Sequence, residues 1–390
     1  MMLKKLLFMA THYRNGEKIF SMIPELCKHF DVYVLTIFNM SINSNLKDQM
    51  FFDTKEGYHI MFNKYAKKVW NSPSGLEGDT EYNYREFIID LINKFDDYDF
   101  DIVLCDNDIF PGGLGWSRMV KYFMRSNIPI VASPEGNREY KNKKRIKGFK
   151  SVYDYLFLFG EKEKRKIIEY CETSNSLKTG KSSKKFKKRG ICGGIPSNDN
   201  LKNYHRGDKY ILVTPNFIEG QESRFKLSTK KLFEKIKVID ISKEYDCDIV
   251  IKLKHRVNFS IQSFIDSFKC YGNVTCINCC EDDNKLMADA KMVIGAPSTY
   301  MFKPIQLGVP TVLLKGHGQV GNFYDYPGLV EPNYKEIKKS IDYQMKNGKF
   351  KSFVEETISG GLEFNSTRIY IENLIKITDE NNIKEIKNEV

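Results

Sequence analysis

The chain has 390 residues, 41% of them hydrophobic and 28% charged, with a formal net charge of +11. These values exclude an intrinsically disordered chain and leave room for two domains with separate cores. No apolar run approaches the roughly 18 residues that a bilayer-spanning helix needs. The nine cysteines, odd in number and scattered, fit reduced cytosolic thiols better than a disulfide framework.

The stretch "MMLKKLLFMATHYRNG" contains two lysines, but its apolar patch Leu6–Ala10 is too short for a signal-peptide core, so Leu3–Ala10 reads as a buried strand. A helix over Glu17–Phe30 and a strand over Asp31–Phe38 complete a β-α-β start, with His12 in the polar loop after the first strand. A second unit follows, with a strand at Ile102–Cys105, a helix at Trp116–Ser126 and a strand at Ile128–Ala132. "YDYLFLFG" is the next strand, and "EKEKRKIIEY" opens a helix.

Residues 141–190 hold 17 Lys and Arg against 5 Asp and Glu, a net of +12 that leaves −1 for the rest of the chain. Such concentrated charge suits a polyanion, whether nucleic acid, an anionic lipid surface or a phosphate polymer, and the competing expectation is a solvated lysine-rich loop. The patch residues are Lys143, Lys144, Arg145, Lys184, Lys185, Lys187 and Lys188.

"GICGGIPSNDNLKNYHRGD" has the Gly, Pro and Asn content of an interdomain linker. The alternation then restarts with a strand at Tyr210–Thr214, a helix at Leu232–Tyr245 and a strand at Cys247–Leu253. "CYGNVTCINCC" brings Cys270, Cys276, Cys279 and Cys280 together, but a zinc site needs a second paired set at a distance, and none is present. In "MVIGAPSTYMFKPIQLGVPTVLLKG", Met292–Ile294 is a strand, Gly295-Ala296-Pro297 breaks it, Tyr300–Leu307 is helical and Val309–Leu314 returns to a sheet. Ser298 and Thr299 sit where a helix cap belongs, and hydroxyls there also suit a phosphate. "YKEIKKSIDYQMKNG" and the segment from Ser366 onward are helical.

The expected fold class is α/β, with two Rossmann-like doubly wound domains facing a cleft. The expected limits are one Rossmann-like domain at 1–190, a linker at 191–207, a second Rossmann-like domain at 208–365 and a C-terminal helix and tail at 366–390. Ligand sites in such sheets lie at the carboxyl ends of the strands. Asp106-Asn107-Asp108 also reads as the Asp-x-Asp pair of metal-dependent A-type glycosyltransferases, but two complete alternating halves fit that fold poorly.

Five segments in order resemble the glycosyltransferase B (GT-B) superfamily, above all its branch of UDP-N-acetylglucosamine 2-epimerases and CDP-glycerol glycerophosphotransferases. They are "FDIVLCDND", "IPIVASPEGNREY", "KYILVTPNF", "IVIKLKHRVNF" and "MVIGAPSTYMFKPIQLGVPTVL". Within them Glu135 and Gly136 match an epimerase motif, Arg138 lies near its basic position, and His255 matches a donor-facing histidine. Pro215-Asn216 stands where the epimerases have His-Arg, and Phe302-Lys303 where they have acidic residues that commonly hold ribose, so transfer is expected rather than epimerisation.

The resemblance implies a nucleotide-sugar or CDP-glycerol-like donor used as substrate, no cofactor, no obligatory metal and a polymeric acceptor, with 1–190 as the acceptor domain and 208–365 as the nucleotide-donor domain. A transferase must neutralise a diphosphate leaving group and deprotonate a hydroxyl. Gly295, Ser298, Thr299, Lys254, His255 and Arg224 are the donor-side candidates, with His317 and Gln319 in the Gly-rich loop that follows. Glu135, then Asp108, then His12 are the candidate bases. The expected compartment is the cytoplasm, including the inner membrane face, or a host cytoplasm for a phage-encoded chain. The alternatives are a bacteriophage-type DNA glycosyltransferase and a non-catalytic nucleic-acid-binding protein.

Overall fold

The computed structural model describes residues 3–10, 19–36, 55–71, 89–95, 97–107, 114–134, 136, 140–173, 181–215, 229–253, 266, 272–277, 282–316, 318, 320–347 and 350–388. The chain divides into two compact units. The first comprises Met1–Glu135, Tyr140–Asp199 and Glu356–Val390; the second comprises Gly136–Glu139 and Asn200–Glu355.

Apolar runs too short for helices and buried on both sides are what a parallel sheet demands. In the first unit these become β1 (Lys4–Ala10), β2 (Phe30–Thr36), β3 (Lys68–Asn71), β4 (Ile102–Cys105), β5 (Ile130–Ala132), β6 (Tyr155–Leu158) and β7 (Gly190–Cys192). They form one sheet in the order β3-β2-β1-β4-β5-β6-β7. Every pairing is parallel. Alternate residues supply two cores. Leu7, Met9, Val103, Cys105 and Ile130 point to one, with Met119, Phe123, Ile146, Phe149, Ile167 and Phe186 from the covering helices. Leu6, Phe8, Ala10, Ile102 and Leu104 point to the other, with Phe20, Leu26, Phe62, Tyr370, Leu374 and Ile377. The short edge strand β3 is held by Trp70, whose ring lies 5.5 Å from Phe95 and 5.2 Å from Tyr98.

The second unit contains β8 (Tyr210–Thr214), β9 (Asp248–Lys252), β10 (Val274–Ile277), β11 (Ala290–Gly295), β12 (Thr311–Leu314) and β13 (Leu329–Val330). Their order is β10-β9-β8-β11-β12-β13, again wholly parallel. Both sheets therefore reverse direction between their first and fourth strands, the doubly wound arrangement that opens a ligand crevice at that point. No helix among the described residues is long and apolar enough to cross a membrane.

Several sequence expectations are corrected. The basic stretch is not a loop, because Lys143–Ser151 and Lys181–Arg189 are helices. Ile146, Phe149 and Phe186 give them a buried side, and the Phe149 and Phe186 rings meet at 4.4 Å. The helix expected over Leu232–Tyr245 is two helices, Thr229–Ile236 and Val238–Tyr245, because Lys237 between them takes a left-handed conformation. The linker expected at 191–207 begins inside β7 and includes the 3-10 helix Pro196–Asn203.

The helix Ser366–Asn388 is not a separate tail but part of the first unit. It is apolar at Tyr370, Ile371, Leu374 and Ile377, one helical face that has to be covered. Tyr370 stacks on Phe157 at 3.7 Å and its hydroxyl pairs with Ser133 Oγ at 2.9 Å. Gly193 permits this approach, since a Cβ there would sit 2.5 Å from both rings. The helix start is capped by Asp199, whose carboxylate accepts the N–H groups of Ser366 and Thr367 at 3.0 and 2.6 Å.

Candidate functional site

In the second unit the crevice at the switch point lies between the carboxyl ends of β8 and β11. A small, largely apolar cavity there is lined by Val213, Thr214, Pro215, Gly295 and Ala296 together with the core residues Leu232, Ile294 and Leu314. Close strand approach dictates the glycine, because a Cβ on Gly295 would lie 2.2 Å from Thr214 Oγ1 and 3.0 Å from Met301 Sδ. Thr214 Oγ1 in turn donates to Met301 Sδ at 3.6 Å, tying β8 to the turn that leaves β11.

That turn presents Ser298 in an extended conformation at the head of the 3-10 helix Thr299–Met301, which runs into the helix Phe302–Gln306. Ser298 makes no side-chain capping bond; only its carbonyl is used, accepting from Met301 N–H at 3.0 Å. The residue is half-buried, and its hydroxyl does not serve as the helix cap. Gly136, which groups with this unit, would place a Cβ 3.7 Å from Thr299 Oγ1.

Two lysines that sequence reasoning missed stand beside the turn. Lys252 ends β9, is 8% exposed and pairs with Asp283 at 2.9 Å. Its ammonium lies 4.9 Å from the centre of the Tyr300 ring. Lys303, the second residue of the following helix, lies 5.5 Å from the same ring and donates to Asn284 Oδ1 at 2.8 Å. Asp283 and Asn284 are oriented by Asp282, which caps their helix through the N–H groups of Asn284 and Lys285 and accepts the Tyr204 hydroxyl at 2.8 Å. Asp283 is the ion-pair partner of Lys252, while Lys303 is held by the neutral Asn284 amide oxygen. In sequence Lys252 is only the residue after the apolar run Ile249–Ile251, and its place beside the turn comes from the fold.

In the first unit the switch point falls between β1 and β4. Asp106, fully buried, donates its N–H to the Met9 carbonyl at 3.2 Å. Cys105 next to it is a protonated thiol, its pKa raised by burial and by the Asp106 charge. Ser133, after β5, anchors Tyr370. The expected residues His12, Asp108, Glu135, Arg224, Lys254, His255, His317 and Gln319 lie outside the described residues.

The basic patch divides. Lys143, Lys184, Lys187 and Lys188 are exposed, and Lys187 pairs with Glu172 at 2.8 Å. Lys144 lies within the helix Lys143–Ser151. Arg145 does not belong to the surface at all: it is fully buried and bonds Glu163 Oε1 at 2.6 Å, while Glu163 Oε2 accepts the Phe159 N–H. Lys185 is half-buried and donates to the Phe149 and Tyr153 carbonyls at 2.6 Å, fastening two helices together. Cys276 in β10 is a thiol pushed up to about 11 by burial. Cys270, Cys279 and Cys280 lie outside the described residues, among which no cluster of three or more metal-ligating side chains occurs.

No family model and no curated protein sequence matches the chain. Solved structures do. The UDP-GlcNAc 2-epimerase of Neisseria meningitidis, bound to UDP-GlcNAc, aligns with a TM-score of 0.62 at 16% identity over 95% of this chain and 100% of its own. The Methanocaldococcus jannaschii UDP-GlcNAc 2-epimerase, in complex with UDP-GlcNAc and UDP, gives 0.60 at 14% over 95% and 99%. A glycosyltransferase from Rickettsia africae gives 0.59 at 10% over 97% and 98%. The chain has the GT-B fold, two doubly wound α/β units in one polypeptide.

Proposed function

We propose that the chain is a GT-B-type transferase that moves a glycosyl or glycerophosphoryl group from a nucleotide-activated donor to a hydroxyl of an anionic polymer. The observation that carries the reading is the turn from Gly295 to Thr299, with its obligatory glycine and its uncapped Ser298 hydroxyl at the switch point of the second sheet. Ser298 and Thr299, with backbone N–H groups of the turn, hold the donor diphosphate. Lys252 and Lys303 add positive charge beside it. Lys254, His255 and Arg224 complete the donor set, with Gly295 setting the turn and His317 and Gln319 in the loop beyond β12.

That supply of cations does without a metal. Two neighbours of this fold carry UDP-GlcNAc in their structures, which supports a nucleotide-sugar donor here. Transfer is favoured over epimerisation by Pro215-Asn216 and Phe302-Lys303, which supply neither the histidine nor the carboxylate expected of the epimerases. Glu135 is the proposed base, with Asp108 and His12 next in order. The proposed compartment is the cytoplasm, where nucleotide-activated donors are made.

A thermal-shift screen of nucleoside diphosphates, UDP-sugars and CDP-glycerol tests the donor, since a ligand bound only by the native state raises the melting temperature. A rise with at least one nucleotide donor is expected. No shift with any of them, at concentrations up to millimolar, contradicts the reading.

A further inference from the structure

Three of the helices on one face of the first sheet carry basic charge only, whereas the helix Glu161–Thr173, which enters the same core through Ile167 and Cys171, balances four Lys and Arg with four Glu. Leu114–Arg125, Lys143–Ser151 and Lys181–Arg189 together contain 14 Lys and Arg and no Asp or Glu. They belong to the crossovers β4 to β5, β5 to β6 and β6 to β7, so they lie over neighbouring strands. Met119 and Phe123, Ile146 and Phe149, and Phe186 all enter the same core, which puts the three helices on one side of the sheet. Their exposed positions include Lys121, Arg125, Lys143, Lys184 and Lys188, none with an ion-pair partner among the described residues. Met124, between Lys121 and Arg125, is a large apolar side chain left 52% exposed.

We infer that this three-helix face docks on an anionic lipid surface. Single-stranded nucleic acid would call for aromatic stacking platforms, and among the described side chains the exposed aromatics Tyr65, Tyr324 and Tyr343 are on other elements. What the three helices offer is exposed lysines together with one exposed apolar side chain, Met124, the combination by which peripheral proteins bind anionic headgroups. The inference stands apart from the transfer reaction, because it rests on the first unit's outer helices and on no residue of the donor turn.

Co-sedimentation of the full chain with phosphatidylcholine vesicles, with and without phosphatidylglycerol, tests it. Binding is expected only to the anionic vesicles, and raising salt should release the protein. Replacing Lys121, Lys143, Lys184 and Lys188 with Gln should weaken partition by about fivefold per charge, roughly several-hundredfold in all. The pair Lys335→Gln and Lys339→Gln, on an exposed helix of the second unit, should leave it unchanged. Equal binding to neutral vesicles, or undiminished anionic binding by the folded quadruple variant, overturns the inference. So does binding to duplex DNA, lost in the same variant, with none to vesicles.

Discussion

Gly295→Ala tests whether the geometry of the donor turn is as constrained as its contacts imply. The added methyl would lie 2.2 Å from Thr214 Oγ1, more than an ångström inside van der Waals contact, with Met301 Sδ at 3.0 Å and the Thr214 carbonyl at 3.3 Å. Strand β8 is buried and parallel-paired on both sides, so Thr214 has little room to retreat. Overpacking of this kind costs about 1–3 kcal/mol. The substitution also removes backbone freedom from the unfolded chain, which returns about 0.4–1 kcal/mol. A net loss of about 1–2 kcal/mol is expected in urea unfolding followed by circular dichroism.

The informative variant is the double one. Thr214→Ala removes the nearest clashing atom and leaves the flexible Met301 thioether and a carbonyl at tolerable distance, so it should recover at least about 1 kcal/mol of the Gly295→Ala loss. Thr214→Val keeps a methyl-sized group at that spot and should recover nothing. A Gly295→Ala protein within about 0.5 kcal/mol of the parent, or equal rescue by Val and Ala, would refute the crowding argument.

Three further outcomes follow from other parts of the molecule. Glu163→Gln removes the carboxylate paired with the buried Arg145 guanidinium and should cost about 3–5 kcal/mol, part of which Arg145→Met with Glu163→Leu restores, the Phe159 N–H still losing its acceptor; equal urea midpoints for Glu163→Gln and parent would deny the pair this role. Burial lowers the Lys162 ammonium to about 8, against the opposing pull of Glu356, so between pH 8 and its ordinary 10.5 the unfolded chain holds the extra proton and stability rises with pH. Lys162→Met should flatten that rise, and an unchanged pH profile would place the ammonium in water. Glu135→Gln should keep donor binding by calorimetry and lose most transfer, whereas turnover within a few-fold would move the base to Asp108.

The central strands were legible because each is an apolar run bounded by turn residues, as in "YLFL", "YILVT" and "TVLL". The edge strands were not. "KVWN", "GIC" and "VTCI" are too short or too polar to stand out, and their pairing comes from the neighbour and from packing such as that of Trp70. The lysine-rich helices were hidden because Phe186, Ser182 and Ser183 suffice for a buried side when six of nine residues are basic. Arg145 shows the limit of charge counting, since only the fold reveals which member of "KKRIK" turns inward to Glu163. At the donor turn, glycine and the two hydroxyls could be read directly. Lys252 and Lys303 could not, because they meet over Tyr300 from elements 51 residues apart in sequence.

The measurement closest to the central claim is calorimetric titration of nucleoside diphosphates and their sugar or glycerol derivatives into the parent chain and into Ser298→Ala with Thr299→Val. Hydrogen bonds to a charged group contribute about 1.5–3 kcal/mol each, so losing two hydroxyl contacts should weaken the nucleotide at least tenfold, with an unchanged circular dichroism spectrum. A folded double variant that binds as tightly as the parent, or a parent chain that binds no nucleoside diphosphate, would contradict the account.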